Sequence, residues 1–322
     1  MKHILNSIVL AMVLLFLLPL MARAEQLLIP AGTLVGLQLR DDSVTVAAFD
    51  EVLGGTARDA GLQIGDEILE IDGSVIDSAE DVRRALEESQ AEIALTVSRE
   101  GKTHTVHMQP TDTGRGRKLG VYLRQGVTGI GTVTWYDPDT GRFGTLGHGV
   151  SSRRGTLLPM TGGSLYDAEI LSVIRGKSGT PGQLKGQALS DAPCGRLLRN
   201  TARGVFGETR QGWLGEPVPV ACYDQVHTGP ATIRSTVTGR VPEEYSVEIL
   251  KIYPRDRQDS RNFLLKVTDS RLLEQTGGIV QGMSGSPVIQ DGRIVGAVTH
   301  VLVNDPTVGY GIFIENMLKA AA

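Results

Sequence analysis

The chain has 322 residues, of which 41% are hydrophobic, 21% are charged and 40 are glycine, with a formal net charge of −4. This composition is ordinary for a globular protein and argues against global disorder, while the length allows two domains. The weakly acidic balance and the lack of a long basic tract exclude an evident nucleic-acid-binding surface, so no nucleic-acid partner is expected.

The N-terminal segment begins with Lys2, continues with an apolar stretch from Ile4 to Leu20, and ends in Ala22-Arg23-Ala24. A short basic region, an apolar core and a small-residue site are typical of a secretory signal. The apolar core is marginal in length for spanning a bilayer, so an uncleaved membrane anchor is the alternative. We therefore expect residues 1–24 to be a signal peptide or anchor, and the rest of the chain to lie outside the cytoplasm.

The first module, residues 30–110, alternates short strands with helical turns. An apolar strand is predicted at 44–49, and the Gly65-Asp66 turn leads into a second strand. Ser78 followed three residues later by Asp81 is a capping box that predicts the start of a helix. A hairpin turned at Glu100-Gly101 closes the module.

The stretch ARDAGLQIGDEILEIDGSVIDSAEDVRRAL resembles the bacterial form of the PDZ domain, which we assign to residues 25–112. The resemblance implies that a peptide or C-terminal ligand adds as a strand beside Val35–Leu39 and faces the helix that begins at Ser78. A spacer or docking domain without a ligand is the alternative. On this resemblance, four residues lie where N–H groups would bind a terminal carboxylate: Leu34, Val35, Gly36 and Leu37.

The second module, residues 113–322, contains many short apolar runs with period-two character, separated by Gly, Pro, Asp and Asn. This spacing favours an all-β barrel or sandwich over βαβ units. Only the segment from Glu315 to Ala321 predicts a helix, a short one at the end of the chain.

Two glycine-flanked residues in the second module carry possible chemistry. His148 lies in RFGTLGHGV, and Ser284 lies in QGMSGSPVI between Gly282 and Gly285. The glycines relieve steric limits on the backbone, so that a turn can expose the hydroxyl beside backbone N–H groups. Either residue alone is compatible with a plain turn. A serine needs a neighbouring imidazole to take its proton, and the two residues together supply both partners.

The stretch GMSGSPVIQDGRIVGAVTH resembles the nucleophile strand of the trypsin-like serine proteases. The resemblance implies a mainly β fold, in which a small α/β PDZ domain precedes a trypsin-like (chymotrypsin-type) double β-barrel. It makes Ser284, rather than Ser286, the nucleophile, with the N–H groups of Gly282 and Ser284 as the oxyanion hole. It also implies three residues lining the substrate cleft: Thr299, His300 and Val301.

The third catalytic group is left open by spacing alone, because most aspartates are solvated surface groups. Four acids in or near predicted strands are candidates: Asp167, Asp191, Asp224 and Asp269. The blocks GTLGHGV, KVTDSRLLEQTGGIVQGMSGSP and GAVTHVLVNDPTVGYGIFIENML resemble the stage IV sporulation protein B family of serine peptidases. That resemblance implies a triad of His148, Asp269 and Ser284.

The two cysteines, Cys194 and Cys222, leave two interpretations open. In an exported protein they can form one disulfide, or they can be separate buried thiols. They cannot form a four-ligand zinc site alone, and no His-x-x-x-His helix supplements them. We predict no metal and no cofactor.

The family resemblance implies an exported serine endopeptidase of sporulation signalling, placed in the space between the forespore membranes. Its implied substrates are the extracytoplasmic part of a membrane-anchored regulator and the protein itself, with self-cleavage regulated by PDZ contacts in trans. The implied outcome is intramembrane processing of a late sigma-factor precursor. The alternatives are a general extracytoplasmic quality-control protease, whose PDZ domain would follow the protease, and a PDZ scaffold with an inactive barrel.

Overall fold

A computed structural model describes residues 25–322 except 90, 115, 153–154 and 258. The predicted signal or anchor segment, residues 1–24, lies outside the described residues. Within the described part of the chain, from residue 25 onward, no helix has the length and apolar character needed to cross a membrane.

The strands of the described residues are β1 (Leu27–Pro30), β2 (Leu34–Phe49), β3 (Glu67–Ile71), β4 (Ser74–Val75), β5 (Ile93–Arg99), β6 (Lys102–Met108), β7 (Thr111–Thr113), β8 (Gly116–Lys118), β9 (Val121–Tyr136), β10 (Arg142–Thr145), β11 (Gly162–Ile174), β12 (Gln183–Ala188), β13 (Gly195–Thr201), β14 (Gly204–Thr209), β15 (Val218–Pro219), β16 (Gly229–Ser235), β17 (Glu243–Ile252), β18 (Phe263–Val267), β19 (Pro287–Gln290), β20 (Arg293–Leu302) and β21 (Asp305–Phe313). The helices are α1 (Gly55–Asp59), α2 (Ala79–Glu88), α3 (Ser270–Thr276) and α4 (Ile314–Ala321), with a 3₁₀ turn at Tyr223–Gln225.

Most of the second module folds into two six-stranded antiparallel barrels, the first of which also includes β2 from the first module. The first runs in the order β9-β10-β14-β13-β11-β2 and closes because β2 also pairs with β9. The second is the closed barrel β16-β17-β18-β21-β20-β19. Side chains from alternate positions fill each barrel, for example Val133, Phe143 and Leu165 in the first and Tyr245 and Phe263 in the second. The predicted double β-barrel is confirmed.

The PDZ module packs α1 and α2 against a sheet that contains β3, β5 and β6. Its helix α2 begins as the sequence predicts, because Ser78 is the N-cap and accepts a hydrogen bond from Asp81 N–H at 3.2 Å. The buried face of that helix carries Val82, Ala85 and Leu86, which repeat at helical spacing.

The two modules share their longest strands, β2 and β9. Residues 34–39 of β2 pair within the first barrel. Residues 44–49 pair with the start of β9, and the first two of them, Val44 and Thr45, also pair with the PDZ strand β3. The predicted PDZ segment, 25–112, therefore divides differently in the structure. Its first part belongs to the barrel, and Val121–Gln125 of β9 completes the PDZ sheet from beyond the predicted boundary.

Candidate active site

His148 follows β10 after a sharp turn of the backbone. Leu146 and Gly147 both adopt left-handed conformations, with φ of 70° and 69°. This conformation is unusual for a leucine and costs free energy that the surrounding packing must offset. A Cβ on Gly147 would lie 2.9 Å from the Thr299 Cγ2 atom, so the turn brings His148 directly beside strand β20.

Ser284 lies in the loop between α3 and β19, and the backbone on either side of it has conformations that favour glycine. Gly282 and Gly285 have φ of 101° and 96°. A Cβ on Gly285 would lie 2.1 Å from the Thr132 carbonyl oxygen and 2.5 Å from the Leu146 nitrogen, so no side chain fits there. The loop that carries Ser284 therefore lies directly against the turn that precedes His148.

Thr132 of β9 is hydrogen-bonded both to the loop that carries Ser284 and to the turn that precedes His148. Its N–H donates to the Ser284 carbonyl at 3.1 Å, and its hydroxyl donates to the Gly282 carbonyl at 2.8 Å. The Leu146 N–H in turn donates to the Thr132 carbonyl at 3.3 Å. The structure thus brings His148 and Ser284, which are 136 residues apart in the sequence, to one place between the barrels.

The side chains of the two residues are not hydrogen-bonded to each other. The Ser284 hydroxyl donates to the Thr299 carbonyl at 2.9 Å, and the His148 Nδ1–H donates to the Gly149 carbonyl at 2.9 Å. This second bond fixes the tautomer in which Nε2 carries the basic lone pair. Burial lowers the pKa of His148, against the opposing effect of the Gly149 hydrogen bond, so the ring is neutral at neutral pH.

The backbone N–H groups of Gly282 and Ser284 are the two that the sequence predicts as an oxyanion hole. Within the described part of the chain, neither group donates a hydrogen bond. The intervening residue does, since Met283 N–H donates to the Val280 carbonyl at 3.1 Å, and so does Gly285 N–H, to the Val298 carbonyl at 2.8 Å. Two unused donors on alternate residues, beside a serine hydroxyl, are the arrangement that an oxyanion hole requires.

Ser286, the other serine of the motif, is buried inside the second barrel. Its hydroxyl oxygen lies 2.7 Å from the Met283 carbonyl oxygen and 2.9 Å from the Ser235 hydroxyl. These contacts satisfy the group internally. The geometry thus favours Ser284 over Ser286 as the reactive serine.

The Asp269 carboxylate, which the family resemblance implies as the triad acid, makes its hydrogen bonds in the structure to other groups than His148. It caps α3, accepting from Arg271 N–H at 2.9 Å and Leu272 N–H at 3.2 Å. It also accepts from Ser246 N–H and from the Arg271 guanidinium. Burial opposes ionisation, but these donors prevail and lower the pKa of the carboxyl. Asp269 therefore fixes the start of the helix that leads into the nucleophile loop.

The other candidate acids have no hydrogen bond to His148 either. Asp167 accepts from the Gln211 amide at 3.0 Å, while Asp191 and Asp224 are exposed. The identity of the third catalytic residue therefore stays a prediction.

The ring of His300 packs against the ring of His148. The two ring centroids are 5.3 Å apart, with an angle of 42° between the ring planes. The sequence placed His300 in the substrate cleft together with Thr299 and Val301. Thr299 is buried and its hydroxyl donates to the Tyr310 carbonyl at 3.1 Å, whereas Val301 is half-buried at the same end of β20.

The predicted peptide site at Leu34–Leu37 is blocked in the structure. On β2, Leu37 pairs with Gly129 of β9 on one side and with Leu165 of β11 on the other. The same holds for the neighbouring positions from Val35 to Leu39. An added strand needs a free row of backbone groups, so a ligand cannot pair with this segment.

A free strand edge lies instead at Val121–Gln125, the start of β9. These residues pair with 44–49 of β2 on one side, and with no other strand among the described residues on the opposite side. Val121 and Leu123 pack against the PDZ core that includes the buried face of α2. The segment Leu119-Gly120-Val121, an apolar run opened by a glycine turn, was the signal in the sequence for this strand.

Hydrogen bonds link the segment around this strand edge to both ends of α2. The Arg117 guanidinium donates to the Ser89 and Ala91 carbonyls, at 2.7 and 2.6 Å, beyond the C-terminal end of the helix. The Gln125 amide donates to the Asp77 carbonyl at 2.9 Å, just before its N-terminal end. These bonds connect the segment from Arg117 to Gln125 to both ends of α2.

Both cysteines are free thiols in the structure. Cys194 is half-buried, and burial, with the nearby Asp167 carboxylate, raises its pKa to about 12. Cys222 is exposed. The disulfide, one of the two interpretations of the sequence, is not formed.

Comparison with known proteins gives two family matches. The family described as SpoIVB peptidase S55 matches residues 115–318, and a PDZ domain matches residues 51–99. The comparison with curated proteins found no match. Among solved structures, an inactive serine-to-alanine mutant of Rv3671c from Mycobacterium tuberculosis is similar at 13% identity over 61% of this chain and 82% of that chain, with a TM-score of 0.32. A similarity at this TM-score carries no argument about the site.

Proposed function

Because the chain belongs to the SpoIVB peptidase S55 family, and is thus a serine peptidase with a PDZ domain, we propose that Ser284 and His148 form its catalytic centre. The observation that carries this proposal is the set of hydrogen bonds at Thr132, which hold the Ser284 loop and the turn before His148 together between the barrels. The two unused N–H groups beside Ser284 support it independently.

In the proposed reaction, the Ser284 hydroxyl turns from the Thr299 carbonyl to Nε2 of His148. Nε2 takes the hydroxyl proton while Oγ bonds to the substrate carbonyl carbon, and the displaced electron pair moves onto the carbonyl oxygen. The N–H groups of Gly282 and Ser284 hold that negative oxygen. His148 then gives its proton to the leaving amine, and water releases the acyl group by the reverse steps.

The physiological role that we propose is sporulation signalling outside the cytoplasm. The enzyme cleaves the extracytoplasmic part of a membrane-anchored regulator, and itself, and so allows intramembrane processing of a late sigma-factor precursor. Membership of the SpoIVB family supports this role. A general quality-control protease carries its PDZ domain after the protease, whereas here the PDZ match precedes the peptidase match.

For the PDZ domain, we propose that a peptide or C-terminal segment, from the substrate or from a second copy of this chain, pairs with Val121–Gln125. Hydrogen exchange measured by mass spectrometry with a library-selected C-terminal peptide tests this site. Protection of amides in 121–125 is expected. Protection confined to 35–39 contradicts the assignment, and a lack of binding by the whole library favours a spacer domain.

The catalytic assignment is tested with a fluorophosphonate probe, which labels activated serines, and by self-cleavage of the exported chain. We expect the parent protein to be labelled on Ser284 and to fragment. Ser284→Ala abolishes both, whereas the matched variant Ser286→Ala changes stability but is still labelled. Equal labelling of the parent and Ser284→Ala proteins would remove the nucleophile assignment, and an unlabelled but peptide-binding parent would support the scaffold alternative.

A further inference from the structure

A row of side chains on the outer face of the first barrel has a gap at its centre. Gly36 of β2 pairs with Ile130 of β9 on one side and with Tyr166 of β11 on the other. Directly opposed residues of antiparallel strands point to the same face of the sheet, so Ile130 and Tyr166 flank a position without a side chain. The neighbouring row, which includes Leu37, fills the barrel, so the row at Gly36 faces outward.

This gap belongs to a cavity of about 750 Å³ lined by β2, β9, β11 and β12, which we call the Gly36 cavity. Its lining includes three aliphatic side chains, Ile130, Leu184 and Leu171, the last of which is 59% exposed. Lys185 and Asp191 also line it, and their opposite charges favour neither an acidic nor a basic ligand. A cavity of this size and lining suits an apolar side chain together with the backbone that carries it.

The Gly36 cavity adjoins the loop that carries Ser284. A Cβ on Gly282 would lie 3.1 Å from the Leu184 Cβ atom and 3.3 Å from the Ile130 Cδ1 atom, and both side chains line the cavity. The Leu184 N–H also donates to the Gln281 carbonyl at 2.8 Å. One wall of the cavity therefore packs against the residue whose N–H we propose for the oxyanion hole.

We propose that the Gly36 cavity binds an apolar side chain of the substrate, from one of the first two residues after the scissile bond. This inference rests on the proposed function. There, His148 gives its proton to the leaving amine, so the leaving part of the substrate lies on the His148 side of Ser284. His148 follows β10 of the first barrel, and the cavity is on that same barrel. Large aliphatic and aromatic side chains are the expected occupants.

The test measures cleavage of a library of internally quenched peptides, with the cleaved bonds located by mass spectrometry. The parent protein should favour Leu, Ile, Met or Phe at one of the two positions after the cleaved bond. Gly36→Val fills the gap, since a Cβ there would lie 3.4 Å from the Tyr166 Cβ atom, an ordinary contact distance. We expect kcat/KM for the apolar peptides to fall about 10- to 100-fold, the scale of losing one buried side chain. Fluorophosphonate labelling should fall far less, because the probe has no residue on the leaving side.

Gly162→Val is the matched control. Gly162 pairs with Arg40 on the same face of the sheet but does not line the cavity, and its Cβ would lie 3.7 Å from the Arg40 Nη2 atom. This variant should cleave and label like the parent. Leu171→Ser, at an exposed position of the cavity wall, is a second variant and should weaken the same preference. Thermal melting confirms that each variant is folded.

A folded Gly36→Val protein that cleaves the apolar peptides at the parent rate would overturn the inference, as would a parent protein without a preference at either position. An equal loss of labelling and cleavage would also overturn it, since the substitution would then act on Ser284 itself. An unlabelled parent protein would instead refute the proposed function, so the two failures are distinguishable.

Discussion

At the scale of single residues, the structure links Asp269 to Ser284 through the backbone of α3, and no hydrogen bond joins Asp269 to His148. Asp269 accepts hydrogen bonds from the first turn of α3. The C-terminal end of that helix leads, through Gly277, into the loop that carries Ser284. A substitution at Asp269 therefore reaches Ser284 through the backbone. The effect to be expected is one of stability and loop position, rather than loss of imidazole orientation.

Asp269→Asn and Asp269→Ala separate these two roles. Asparagine is as good an N-cap as aspartate, so we expect Asp269→Asn to keep kcat/KM within about 10-fold of the parent value. Asp269→Ala removes the cap and should lower the free energy of unfolding by about 1 kcal/mol. Peptide cleavage and denaturant unfolding are the measurements. A loss of about 10⁴-fold in Asp269→Asn would restore Asp269 as the triad acid.

At the scale of elements, the active site depends on two loops that touch through backbone atoms. A Cβ at Gly285, in the loop that carries Ser284, would overlap the backbone of Thr132 and Leu146, so the absence of a side chain there permits the close approach. The two glycines around Ser284 thus have a steric purpose in addition to their left-handed conformation.

Gly285→Ala and Gly292→Ala isolate the steric effect, since both glycines have positive φ, 96° and 72°. A Cβ at Gly292 meets nothing within 4 Å, whereas one at Gly285 meets the backbone of Thr132 and Leu146. Both variants bear the cost of a left-handed alanine, of order 1–2 kcal/mol. Fluorophosphonate labelling should fall at least 100-fold further in Gly285→Ala than in Gly292→Ala. Equal labelling of the two would show that the close approach is dispensable.

At the scale of the whole molecule, β2 and β9 join the PDZ module to the first barrel. Both strands have 16 residues: β2 starts in the barrel and ends in the PDZ module, whereas β9 starts in the PDZ module and ends in the barrel. The PDZ core includes Leu119, Val121 and Leu123, which lie after the predicted domain boundary. The PDZ module is therefore complete only when the start of β9 is present.

Two fragments test this arrangement. Residues 41–126 contain every strand of the PDZ sheet, and we expect a cooperative thermal transition followed by circular dichroism. Residues 25–112 lack the start of β9 and leave both the edge of β2 and the core beneath Leu119 open to water. We expect that fragment to melt without cooperativity or to aggregate. The reverse order of stability would contradict the shared-strand architecture.

The sequence by itself determined the local features of this protein. Its β-rich module, the capped helix at Ser78 and the glycine turns around His148 and Ser284 all follow from short-range patterns. These features persist because the backbone requirements of a turn or cap are met by residues close together in the chain.

Only the tertiary structure decided which distant groups meet. It gave the start of β9 to the PDZ module, paired both edges of Val35–Leu39 with other strands, and brought the ring of His300 against that of His148. Strand pairing and barrel closure join segments more than 100 residues apart, and no local pattern encodes which edges they use. The physical reason is that every buried backbone group must find a partner, and the whole sheet decides that pairing together.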